Sequence, residues 1–176
     1  MTILYTILFV LAGIIVLLLI LALFRRKNHY VKREIIINAP SRKVFDYLKL
    51  LKNQDEFNTG AMEDPNRKKE FKGTDGKVGY IYAWSGNKDV GAGEKEIINL
   101  VDGKTIETEI RFTKPMKVNA AIIMETISLS DNQTNVTWSN AGTLPFPVNI
   151  MIPIMEKSVA KGMDTSLTTL KNILEK

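Results

Sequence analysis

The stretch Tyr82–Ile97, "YAWSGNKDVGAGEKEI", decides how this chain is read. It holds three glycines, two aromatics and a run of alternating charge. A phosphate-binding loop needs its glycines between a strand and a helix, followed by Lys and then Ser or Thr. Here Gly91-Ala92-Gly93 is followed by "EKEIINLV", whose β-branched character continues a strand, and Glu94 would repel a phosphate. The stretch is therefore read as a hairpin: an aromatic strand to Trp84, a turn through Ser85–Asp89, and a return strand from Val90. Gly91 and Gly93 then permit a bulge, a sharp bend of the sheet, or close approach of another backbone.

Working outward, the same pattern repeats. "RKKEFKG", "KVGYIYAWSG", "GAGEKEIINLV", "KTIETEIRFTKP", "KVNAAIIMETISLS" and "TNVTWSNAG" form six successive candidate strands separated by short turns, which argues for an antiparallel meander. Before them come a first strand, "YVKREIIINAP", stopped by Pro40, and a short helix, "SRKVFDYLKLL", with Ser41 as N-cap. "KNQDEFN" leads from that helix into the loop "TGAMEDPN". After the strands, Val148, Ile152, Met155, Val159, Met163, Leu167, Leu170 and Leu174 recur at helical spacing, one apolar face of a long C-terminal helix. Pro153 belongs near its start, and Gly162 is a point where it could break.

The N-terminus is of another kind. Ile3–Phe24 carries no charge and, as a helix, reaches roughly 33 Å, enough to cross a bilayer core of about 30 Å. No positive charge precedes the run and "LALFRRK" follows it, which argues for an uncleaved anchor over a signal peptide. With no cysteine to acylate, a lipoprotein is excluded. Arg25, Arg26, Lys27, Lys32 and Arg33 precede the first acidic residue, Glu34, and account for the whole net charge of +5. The remaining 19 basic residues face 19 acidic ones, so the basic balance belongs to a membrane collar and gives no sign of nucleic-acid binding. The positive-inside bias expects a single-pass protein with its C-terminal domain in the cytoplasm. The expected division is residues 1–24 anchor, 25–30 basic linker, and 31–176 a folded domain.

"IIINAPSRKVFDYL", "MEDPNRKKEFKGTDGKVGYIYAWSGNKDVGAGEKEI", "FTKPMKV", "TNVTWSNAG" and the tail "MEKSVAKGMDTSLTTLKNILEK" occur in an order that resembles the START-like (SRPBCC) superfamily, in particular its polyketide cyclase/dehydrase-like branch. The resemblance covers about residues 30–175. It implies an α+β helix-grip fold: a curved antiparallel sheet of about seven strands around a long C-terminal helix. It also implies a cavity between sheet and helix for an apolar or amphipathic small molecule. Two departures stand out. "KNQDEFN" replaces a tryptophan-rich segment, leaving Phe57 as its one aromatic, and Ser166 stands where similar sequences commonly carry glycine.

The chemistry open to the domain is narrow. The one histidine, His29, lies in the linker, and there is no cysteine. That excludes Ser-His-Asp and Cys-His catalysis and leaves no set of zinc ligands. No cofactor or metal is expected. Glu94, Glu96, Glu107, Glu109 and Glu125 fall in strands, where charged residues belong on the solvated face. Glu125 is the exception to weigh, because its parity matches Ile123 and Ile127. "RKK" at Arg67–Lys69 reads as a solvated charge run. Val78, Tyr80, Tyr82 and Trp84 share one strand face, and Val136 and Trp138 another. The expected ligand-contacting set is Tyr80, Tyr82, Trp84, Phe112, Glu125 and Trp138, with aromatics supplying apolar area and a polar handle. Three functions compete. The first is a membrane-tethered module binding a lipid- or polyketide-like molecule; the second is a protein-interaction module at the membrane. The third, a cyclase- or dehydrase-type enzyme, would need Glu96 or Glu125 to face a dry cavity.

Overall fold

The computed structural model describes residues 2–176. Helix α1 (Thr2–Phe24) leads into strand β1 (Asn28–Ile37), then α2 (Ser41–Leu48), a 3-10 turn (Leu51–Asn53) and two four-residue helices, α3 (Gln54–Phe57) and α4 (Thr59–Met62). Six strands follow: β2 (Lys68–Lys72), β3 (Ile81–Ser85), β4 (Ala92–Val101), β5 (Thr105–Lys114), β6 (Val118–Ser130) and β7 (Gln133–Thr143). A 3-10 turn (Val148–Met151) and α5 (Ile152–Leu174) end the chain. The strands form one antiparallel sheet in the order β1-β7-β6-β5-β4-β3-β2, so the meander is closed by pairing β1 with β7.

The apolar face of α5 lies on the inner face of this sheet. Met163, Leu167, Leu170 and Leu174 pack with Val44, Phe45 and Leu48 of α2 against Ile37, Ile106, Ile122, Met124, Val136 and Trp138. Pro153 sits in the first turn of α5, where its missing N–H costs nothing. Gly162 does not break the helix, because helical hydrogen bonding runs through it; the absent side chain lets α4 approach instead. A Cβ there would stand 3.2 Å from Thr59 Oγ1. Ser166 caps the same contact, its Oγ accepting from Thr59 N at 3.0 Å.

Three local readings change. β3 begins at Ile81, because Gly79 turns the chain at φ +84° and leaves Val78 exposed. β1 begins at Asn28, so the linker shrinks to Arg25–Lys27 and His29 becomes a buried strand residue, bonded to Asn140 Oδ1 at 3.0 Å. Gly142 opposite leaves the ring its room, since a Cβ there would lie 2.6 Å from His29 Cε1. And Arg67, read as part of a solvated run, has a side chain only 3% exposed.

The apolar helix meets the domain through definite contacts. Asn149 is buried and its Nδ2 donates to the carbonyls of Ala22 at 2.7 Å and Arg25 at 3.1 Å, at the C-terminal end of α1. Arg26 pairs with Glu156 of α5. α1 is long and apolar enough to cross a membrane, and most of its surface is uncovered by the domain.

Candidate functional site

The hairpin β3–β4 forms one wall of an open cavity of about 260 Å³, just below the roughly 300–1,000 Å³ typical of ligand pockets. Tyr82 and Trp84 of β3, Lys95 of β4, and Ile110 and Phe112 of β5 line that wall. The facing wall comes from the short helices: Gln54, Asp55, Asn58, Gly60 and Ala61. The cavity thus lies under α3 and α4. The space between sheet and α5, where the resemblance implied an opening, is filled by the main core.

The glycines of the hairpin shape this wall. The ladder between β4 and β5 shifts register at Ala92/Gly93, a bulge of the kind expected from the sequence. Gly91 adopts φ +66°, and a Cβ there would lie 2.3 Å from the Lys114 carbonyl oxygen. At Gly93 a Cβ would meet the Trp84 ring at 3.0 Å, so the missing side chain seats the indole against the strand. Trp84 then stands edge-on to Phe112, centroids 5.6 Å apart, and its Nε1 donates to the Val90 carbonyl at 3.4 Å. The hairpin loop is fixed by Asn87, whose Oδ1 accepts from the amides of Asp89 and Val90.

The inner end of the cavity is polar. Tyr82 Oη donates to Asp55 Oδ1 at 2.7 Å and accepts from Arg67 Nη2 at 2.8 Å. Arg67 and Lys69 both pair with Asp55, and Arg67 also donates to the carbonyls of Ala61 and Asp64, tying α4 to the sheet. Burial, then the hydrogen bond to Asp55, pushes the Tyr82 hydroxyl pKa well up, so it stays protonated at any physiological pH. Beside this network Lys95, 7% exposed, donates to Gln54 Oε1 at 2.6 Å. Its burial lowers its pKa to about 8, partly countered by the Asp55 charge.

Of the six residues expected at a ligand, Tyr82, Trp84 and Phe112 line the cavity together. Tyr80 does not: it is 2% exposed, stacked on Phe71 with centroids 6.5 Å apart, and burial with the charges of Asp75 and Asp55 raises its pKa to about 12. Trp138 lies in the main core, edge-on to Phe57. Glu125 points to solvent, because Ile122 and Met124 take the inner face of β6 and leave its parity outward. Glu96 also points outward: Arg111 gathers Glu94, Glu96 and Glu109 on the outer face of the sheet, which raises the arginine's pKa. The carboxylate chemistry weighed for Glu96 and Glu125 therefore has no cavity to act in. What sequence reading missed is Lys95 with Gln54, Asp55 and Arg67. Parity marks it: Ile97 faces the core, so two residues earlier Lys95 does too. Among the described residues no cluster of His, Cys, Asp and Glu side chains is placed to hold a metal.

No family profile matches the chain, and no curated protein matches it at a significant level. Solved structures do. The Zhui aromatase/cyclase of Streptomyces sp. R1128 superposes with a TM-score of 0.64 at 13% identity, over 84% of this chain and 94% of that one. This is the helix-grip fold of the START-like proteins. Norcoclaurine synthase of Thalictrum flavum, solved with dopamine and hydroxybenzaldehyde, matches at TM-score 0.63 and 16% identity, over 86% of this chain and 89% of that one. Aha1 of Colwellia psychrerythraea, solved as a dimer, matches at 0.58 and 18%, over 84% and 96%. At these identities the helix-grip likeness carries the fold, and function has to be argued from the site.

Proposed function

We propose that this protein is a membrane-tethered module whose helix-grip domain binds an amphipathic small molecule between α3–α4 and the β3–β5 wall. The observation that carries this reading is the cavity itself: an aromatic and aliphatic wall of Trp84, Ile110 and Phe112 that ends in a few convergent polar groups. The tether supports it further. One ladder row runs His29–Gly142–Ala120–Ile110–Lys95–Tyr82–Phe71 across all strands. Trp84 and Phe112 lie beyond that row, toward the strand ends at which α1 joins β1. The aromatic part of the cavity is thus on the anchor side of the sheet, within reach of a bilayer. The basic collar favours a cytoplasmic domain.

Two measurements test this. In the full chain reconstituted in lipid nanodiscs, the neutral probe 2-naphthylmethanol should quench Trp84 saturably, and Ala61→Phe, which fills the cavity, should abolish it. Absence of saturable quenching in the wild type, by this probe and by its carboxylate counterpart 2-naphthoate, refutes the binding reading. The chain has no cysteine, so one introduced at Lys176 reports orientation. An impermeant maleimide should label it only after cells are permeabilised; labelling of intact cells refutes the cytoplasmic placement.

A further inference from the structure

We propose that the ligand of this cavity is an amphipathic anion, a negatively charged head on an apolar body, with Lys95 as the docking cation. This rests on the binding reading above and adds the charge of the ligand to it.

The argument begins with an imbalance. Asp55 is the acid nearest the inner end of the cavity, and it is already engaged by Arg67, Lys69 and the Tyr82 hydroxyl. Lys95 faces Gln54, a neutral partner that satisfies one of three ammonium donors. Among the described residues no carboxylate pairs with it. The charged and titratable groups around it are Asp55 on α3, Tyr82 on β3, Arg67 just before β2 and Lys69 within it, which leaves the inner end net positive. Glu63 and Asp89 at the rim are exposed, so water and salt screen them from it.

A buried ammonium without a counter-charge is costly. The pleat that turns Glu94 and Glu96 to the outer face turns Lys95 inward, so its ammonium has no route to the solvated face of the sheet. Lys95 projects between Tyr82 and Ile110, its partners across the ladder. A ligand anion entering there would find the free ammonium donors and make charge-assisted hydrogen bonds in a largely apolar cavity. Its apolar body would lie along Trp84 and Phe112. The Asp55–Arg67 pair needs no ligand, so the free cation sets the sign.

The test compares two probes of matched size in full-chain nanodiscs of zwitterionic lipid: 2-naphthoate and 2-naphthylmethanol, each corrected against empty discs and against Ala61→Phe. At pH 7 the wild type should bind the carboxylate about tenfold more tightly or better. Lys95→Met should erase that preference while still binding the alcohol, and Lys95→Arg should retain it. Equal affinity for both probes in the wild type overturns the inference and leaves the binding reading standing. So does a preference that survives in Lys95→Met. If neither probe binds the wild type, both readings fall. Should Lys95→Met fail to fold, chemical-shift titration of the Lys95 ammonium decides. Its pKa must rise on adding 2-naphthoate but not the alcohol, and an unmoved pKa overturns the inference.

Discussion

Lys95 makes the unliganded domain less stable at neutral pH than at alkaline pH, and the size of that effect follows from its burial. The side chain titrates at an ordinary 10.5 in the unfolded chain and at about 8 in the fold. Below pH 8 it is protonated in both states, and the folded state carries the whole penalty. Between pH 8 and 10.5 the unfolded chain holds one more proton, so stability rises by about 1.4 kcal/mol per pH unit. The full difference amounts to about 3 kcal/mol. Tyr47, Tyr80 and Tyr82 oppose this: burial raises each, so they lower stability above about pH 10. They are present in Lys95→Met as well, so subtracting the variant isolates the lysine. The assay is urea unfolding of the full chain in nanodiscs, followed by tryptophan fluorescence from pH 7 to 10.5. The wild type should gain about 3 kcal/mol on Lys95→Met across that range. A difference that stays flat would mean that Lys95 is hydrated, and the burial argument would fail.

Asp55→Asn leaves the buried Arg67 guanidinium without its carboxylate and should destabilise the domain by about 3 kcal/mol in the same unfolding assay. It also removes the charge that holds Lys95 up, so the lysine pKa should fall below 8; a variant as stable as the wild type counts against the network. Gly91→Ala forces an L-residue to φ +66° with a Cβ at 2.3 Å from a carbonyl oxygen, and should cost about 3 kcal/mol, read as a lowered urea midpoint; a midpoint equal to the wild type's refutes the strain argument. Phe146, Met151 and Ile154 are exposed beside the Asn149 contact to α1, and the membrane-tethered reading proposed above puts them at the bilayer surface. A fluorophore at Met151→Cys should be quenched by spin-labelled lipid, whereas one at Lys104→Cys, at the far end of the sheet, should not; equal quenching rejects that placement.

The order of elements was legible because turn residues punctuate it: each hairpin has its own Gly, Asp or Asn except β5–β6, which turns at Pro115, and the C-terminal helix keeps one apolar face through Met163, Leu167, Leu170 and Leu174. The facing of charged strands was harder to read. In Glu94-Lys95-Glu96 every residue is charged, so hydropathy cannot say which one turns inward. The inner face had to be propagated from Ile97. Arg67 was hidden for a related reason. Beside Lys68 and Lys69 it looks like a solvated run, and the carboxylate that balances its burial, Asp55, stands twelve residues earlier. Tyr80 and Tyr82 share a parity, yet the turn at Gly79 sets Tyr80 in the core and leaves Tyr82 at the cavity.

The site's location follows from the segment in which the chain departs from the sequences it resembles. Under α5, large side chains on both surfaces close the space, Met163, Leu167 and Leu170 packing with Ile122, Met124 and Trp138. Under α3 and α4 the opposing wall is Gln54, Asp55, Asn58, Gly60 and Ala61, residues too small or too polar to fill the volume in front of Trp84 and Phe112. Two helices of four residues cannot turn a broad apolar stripe toward the sheet. The one large apolar side chain of α3, Phe57, turns into the main core against Trp138, so the cavity beside it has one aromatic wall and one hydrogen-bonding wall. "KNQDEFNTGAM" thus opens the cavity and also gives Lys95 a neutral partner in Gln54.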